Sequence, residues 1–153
     1  MPDLSQSARQ GGSRAQEDYL EQIHNLIEEK GYARVVDVAK NLGLAQASVT
    51  NMIQRLDADG LVHYEKYRGV VLTEAGEQIA LAIIRRHRIL TSFLELFGLD
   101  AQTIYEDVEG MEHHISSATL SAITGLTAEL ERQPALIKRV RARMTEEQDR
   151  DPR

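Results

Sequence analysis

The stretch Val35 to Leu56, VVDVAKNLGLAQASVTNMIQRL, leaves few choices for how this chain folds. Two segments with helical apolar spacing, Val35 to Leu42 and about Gln46 to Asp59, are separated by Gly43, which supplies the positive φ of a sharp turn. Ala39, four residues before it, is small enough for two helices to cross closely. Leu42, Val49, Ile53 and Leu56 provide a shared apolar face. This is a helix-turn-helix pattern. It leaves Gln46, Ala47, Ser48, Thr50, Asn51, Gln54 and Arg55 facing outward, polar and largely uncharged. Gln and Asn pair with adenine edges, Ser and Thr with several acceptors, and Arg with guanine or phosphate.

The next residues strengthen that reading. Val62 to Tyr67 and Val70 to Leu72 are two short strand patterns joined at Arg68-Gly69, a hairpin signal. Lys66, Tyr67 and Arg68 stand at the tip, where a winged helix meets phosphates or the minor groove. An ordinary helical hairpin with a surface β-ribbon is the plainer alternative.

Elsewhere the chain is helical, and the fold class is mainly α. A first helix is expected from about Ala15 to Lys30, with Tyr19, Leu20, Ile23, Leu26 and Ile27 inward. Thr73 caps a long helix reaching Phe97, and Asp100 caps another from about Ala101 to His114. Ser116 or Ser117 caps a sixth helix to about Arg132, Pro134 breaks the chain, and a last helix covers Ala135 to about Glu147. The expected organisation is a disordered tail over 1–14, a DNA-binding winged helix-turn-helix over 15–79, a helical domain over 80–148 and a frayed tail over 149–153.

Composition excludes several classes. There is no Cys, hence no disulfide framework, thiolate nucleophile or Cys-ligated zinc, and a reducing cytoplasm is the natural home. No apolar run approaches the ~18–20 residues that span a bilayer, so no membrane association is expected. The net charge is −6, unusual for a general nucleic-acid binder unless something neutralises it.

Three sets of residues have the chemistry to do so. In EGMEHH, Glu109, Glu112 and His113 fall at i, i+3 and i+4 on one side of a helix, flanking the apolar stripe Ile104, Val108, Met111 and Ile115. Asp18 and Glu21 are three apart on the first helix, opposite its core, and His87 lies within the stripe Ile83, Leu90, Leu94 and Phe97 of the long helix. Each set alone has a plain reading, as a solvated face or a core histidine. Together they supply four carboxylates and two imidazoles, a donor set suited to Mn(II), Fe(II) or Zn(II).

These segments resemble the diphtheria-toxin-repressor family of metal-dependent repressors, and within it the manganese-responsive branch. The likeness covers about Glu17 to Leu130, carried by YLEQIHNLIEEKGYARVVDVAKNLGL, ASVTNMIQRLD, YEKYRGVVLT, RRHRIL and IYEDVEGMEHHIS. It implies an N-terminal winged helix, a helical dimerisation domain and metal held between them. Asp18, Glu21, His87, Glu109, Glu112 and His113 match the manganese-branch ligands, all six present. The iron branch carries Met in place of Asp18 and Cys in place of Glu109, and adds an SH3-like domain for which no room is expected here. Its ancillary site uses Glu and His where this chain has Thr91 and Tyr105, so that site is not expected.

The resulting expectation is a cytoplasmic, homodimeric regulator, not an enzyme, activated by one or two Mn(II) per chain. It would bind double-stranded operator DNA through Gln46, Ser48, Thr50, Asn51, Gln54, Arg55, Lys66 and Arg68, and repress manganese uptake genes. The alternatives are a winged-helix regulator answering an organic ligand and a metal-dependent hydrolase using Glu109 or Glu112 as general base.

Overall fold

The computed structural model describes residues 13–150; the expectations for 1–12 and 151–153 lie outside it. The chain forms two compact units dividing between Ile84 and Arg85, a little further along the long helix than expected.

The first unit contains α1 (Arg14–Lys30), α2 (Val35–Leu42), α3 (Gln46–Ala58), β1 (Val62–Glu65), β2 (Gly69–Leu72) and the start of α4 (Glu74–Glu95). Ser13 and Gln16 form a reciprocal capping box that opens α1, so the ordered chain starts earlier than the expected 1–14 tail allows. Leu20, Ile23, Leu26, Val38, Val49, Ile53, Leu56, Val62 and Val70 meet in one core. Each such side chain contributes about 1.5–3 kcal/mol through removal from water. Gly43 turns α2 into α3 at φ 66°, and Ala39 is buried at the crossing. β1 and β2 pair antiparallel from Val62↔Leu72 to Glu65↔Gly69; β1 stops two residues short of the expected Tyr67 and β2 begins one residue before the expected Val70, with residues 66–68 forming the turn.

The root of α4 is closely fitted. The Thr73 hydroxyl donates to the Gly60 carbonyl at 2.7 Å and accepts from Gly76 N–H at 3.1 Å. A Cβ on Gly76 would overlap the Leu61 carbonyl oxygen, so only glycine lets the helix start here.

The second unit holds the rest of α4 with α5 (Ala101–Met111), α6 (Ser117–Glu131) and α7 (Pro134–Arg150). Asp100 and Ser116 cap α5 and α6 by accepting the Thr103 and Thr119 amides. Leu90, Ile104 and Val108 form its core, joined by Leu94, Leu99, Ile115, Leu120 and Ile123. Arg141 of α7 donates to the Leu96 carbonyl at 2.8 Å, compensating the C-terminal end of α4.

The helices of the second unit differ from expectation in detail. Helix α5 ends at Met111, not His114, leaving Glu112 to His114 in a turn; Met111 is 40% exposed and does not belong to the inner stripe. Pro134 separates α6 from α7 as expected, and α7 begins at Pro134 itself rather than at Ala135, since the first helical position needs no N–H donor. Asp149 and Arg150 belong to α7, not to a frayed tail.

Candidate metal centre and nucleic-acid interface

The second unit brings three ligand-type side chains together. His87 of α4, Glu109 of α5 and Glu112 just past its end place one donor atom each within 4.8 Å of one another. His87 Nδ1 lies 2.9 Å from Glu112 Oε2 and 3.6 Å from Glu109 Oε1. His113 Nε2 is 3.5 Å from Glu112 Oε1. The apolar pairing of Leu90 with Ile104 and Val108 holds α4 against α5 and fixes this register.

Glu112 is the unusual member. Its side chain has no exposed surface, although it follows a helix end in a turn. Burial pushes its pKa above the ordinary carboxylate range, Glu109 adds like-charge repulsion, and the His87 hydrogen bond offsets part of this. Oε1 makes no hydrogen bond, so the carboxylate keeps coordinating capacity in a place where leaving it unused is costly. The donor set of one imidazole and two carboxylates, one of them buried, fits a divalent cation.

The other expected ligands are placed as follows. His113 adjoins the three-residue group through Glu112. Asp18 and Glu21 sit on α1 in the first unit, three residues apart, and both are half-buried rather than on a fully solvated face.

The sequence reading missed Arg86. Its guanidinium donates to the Glu112 backbone carbonyl at 3.3 Å, tying the turn after α5 to α4. Its position beside His87 was the available signal, but spacing along one helix does not reveal a contact with another. A cleft of about 270 Å³ adjoins the group, lined by His87, Thr91, Glu95, Leu99, Ile104 and Tyr105 among others.

The expected nucleic-acid face is in the first unit. Gln46, Ser48, Asn51, Gln54 and Arg55 of α3 are exposed, whereas Thr50 is half-buried. At the hairpin tip Lys66 and Arg68 are exposed, Tyr67 is 90% exposed, and Arg68 pairs with Glu65 at 3.3 Å. No helix among the described residues is long and apolar enough to cross a membrane.

Comparison with known proteins matches both parts of the chain at the level of domains. Residues 13–70 match the N-terminal DNA-binding domain of the iron-dependent repressor family, and residues 73–139 match its metal-binding and dimerisation domain. The chain is 45% identical over 130 residues to the HTH-type transcriptional regulator MntR of Lysinibacillus sphaericus strain C3-41, covering 85% of this chain and 94% of the relative. It is 50% identical over 119 residues to MntR of Bacillus subtilis strain 168, covering 78% and 84%. Among solved structures, the manganese regulator SloR superposes with a TM-score of 0.64 at 28% identity, covering 72% of this chain and 52% of that one. A manganese-dependent transcriptional repressor in complex with manganese gives a TM-score of 0.64 at 27% identity, covering 74% and 52%. The chain thus spans about half the length of each of those two structures. The hydrolase reading falls with these matches, because the relatives are transcriptional regulators and not enzymes. With both of its domains matched in order, this chain belongs to the iron-dependent repressor family of metal-dependent, DNA-binding transcriptional regulators.

Proposed function

We propose that this chain is a cytoplasmic, Mn(II)-activated, homodimeric repressor of manganese uptake genes. Residues 15–79 bind operator DNA, and 80–148 dimerise and carry the metal donors. The buried Glu112 carboxylate beside His87 and Glu109 carries the reading. The ligand set is Asp18, Glu21, His87, Glu109, Glu112 and His113, holding one or two ions per chain. Four of the six are carboxylates and two are imidazoles, with no sulfur among them, which suits a hard cation. The similarity to the manganese regulator SloR and to a manganese-dependent transcriptional repressor supports manganese.

A bound divalent cation supplies positive charge among carboxylates that otherwise repel. Glu112 must then ionise, and His87 must present a neutral ring nitrogen. On the DNA side, Gln46, Ser48, Thr50, Asn51, Gln54 and Arg55 read base edges, and Lys66 and Arg68 hold the backbone. Two recognition helices in a dimer are spaced for successive major grooves, about 34 Å apart. Metal and DNA each strengthen the other's binding by one common factor.

The test is fluorescence anisotropy of labelled duplexes, selected from a random pool by this protein, with and without Mn(II). Calorimetry in parallel counts the ions. Tight binding only with Mn(II), at one or two ions per chain, is expected. Equal binding in excess chelator would overturn the reading.

A further inference from the structure

We propose that Tyr32 and Arg34, just before α2, form an additional phosphate-binding site for duplex DNA beside the wing. The inference rests on the DNA-binding reading above and adds residues that neither the helix-turn-helix pattern nor the hairpin tip contains.

The segment acts as a short third strand of the wing sheet. Ala33 bridges Val70 antiparallel, and its carbonyl accepts the Val70 N–H at 2.9 Å. Ala33 is buried with Val70, which turns its neighbours outward by the two-residue alternation of strands. Tyr32 is 44% exposed and Arg34 is exposed, on the side where Val71 is also exposed. The antiparallel direction carries Arg34 past Ala33 toward Gly69 and the basic hairpin turn. The fit there is close: a Cβ on Gly69 would overlap the Ala33 carbonyl oxygen and stand 3.8 Å from Arg34 Cγ.

The Arg34 guanidinium lies over the Tyr32 ring, 4.8 Å from its centroid. The ring contact restrains the guanidinium, whose planar N–H fork suits phosphate. It also reduces the side-chain freedom lost on binding. Arg34 has no ion pair among those of the described residues, whereas Arg68 at the tip is paired with Glu65 at 3.3 Å. In a chain of net charge −6, an oriented cation with no carboxylate partner among the described residues, beside Gly69 at the end of the basic hairpin turn, suits the DNA backbone.

The test uses the full chain saturated with Mn(II) and a labelled mixed-sequence duplex, with affinity measured across a series of salt concentrations. Arg34→Ala is expected to weaken binding about tenfold and flatten the salt slope by about one unit per protomer engaged, as one phosphate contact is lost. Arg34→Lys keeps the charge and is expected to restore the slope while recovering only part of the affinity, because the stacked fork is gone. Mn(II) stoichiometry and thermal melting of both variants are expected to match the parent, since Arg34 is exposed and outside the metal donors. A parent that binds duplex DNA while Arg34→Ala keeps the same slope overturns this site alone. A parent that binds no duplex DNA overturns the DNA-binding reading together with it.

Discussion

His87 Nδ1 and Glu112 Oε2 lie 2.9 Å apart, with the carboxylate wholly inside the protein. Burial and Glu109 raise the Glu112 pKa above its ordinary value, more than the His87 hydrogen bond lowers it. A carboxyl raised in the fold stabilises it below the ordinary glutamate range, and that stability is lost as pH climbs through the raised value. In the metal-free protein, Glu112→Gln is therefore expected to melt higher than the parent at neutral pH, by roughly 2–4 °C for each kcal/mol recovered. The same variant is expected to bind Mn(II) poorly. Calorimetry in buffers of different ionisation enthalpy is expected to show proton release on Mn(II) binding by the parent. A variant that melts lower and binds Mn(II) normally would contradict this account.

The joint at the root of α4 predicts a stability effect remote from the metal donors. Gly76→Ala forces a methyl group into the Leu61 carbonyl. The expected loss is about 1–3 kcal/mol, the usual cost of overpacking. Urea unfolding measures it, and an unchanged midpoint would show that the helix start shifts freely.

Recognition and backbone contacts are separable. Asn51→Ala on α3 is expected to lose sequence preference, about 1–3 kcal/mol if the side chain is bidentate to a base. Arg68→Ala at the hairpin tip is expected to weaken binding to all duplexes and lower the salt slope by about one. Competition between selected and random duplexes distinguishes them. Equal loss on both duplexes for both variants would refute the division.

Metal choice is expected to respond at Asp18. It is half-buried on α1, and the family resemblance implies Met at the matching position of the iron branch. Asp18→Met removes a hard oxygen donor and admits a thioether, which favours softer, later metals. The variant is expected to need more Mn(II) for DNA binding and to respond better to Fe(II) or Co(II) in anaerobic anisotropy titrations. Normal Mn(II) activation would remove Asp18 from the ligand set.

Oligomerisation is expected to precede metal binding. Leu126 of α6 is 49% exposed, while Leu120 and Ile123 on the same helix pack into the core of the second unit. Sedimentation of the metal-free protein is expected to give about twice the chain mass of 17.2 kDa. A monomer that dimerises only with Mn(II) would place metal upstream of assembly.

Much of this was legible in the sequence because the signals are local. Gly43, Ala39 and the spacing of Val49, Ile53 and Leu56 determine the helix-turn-helix through backbone freedom and helical period alone. Arg68-Gly69 between two β-rich runs likewise announces the hairpin. The boundary of α5 was not legible, since Glu112 to His114 keep the helical spacing of ligand-type residues but turn away after Met111.

The residue types available for the chemistry are readable from the chain alone: carboxylates and imidazoles at helical spacing, no thiol, and polar outward positions on the second helix of the helix-turn-helix. Packing between elements is what buries Glu112, brings His87 to it, ties Arg86 to its backbone carbonyl, and sets Tyr32 and Arg34 beside β2. Periodicity reports which face of one element is apolar. It does not report which partner covers that face, and burial, pKa and anion-binding capacity all depend on the partner.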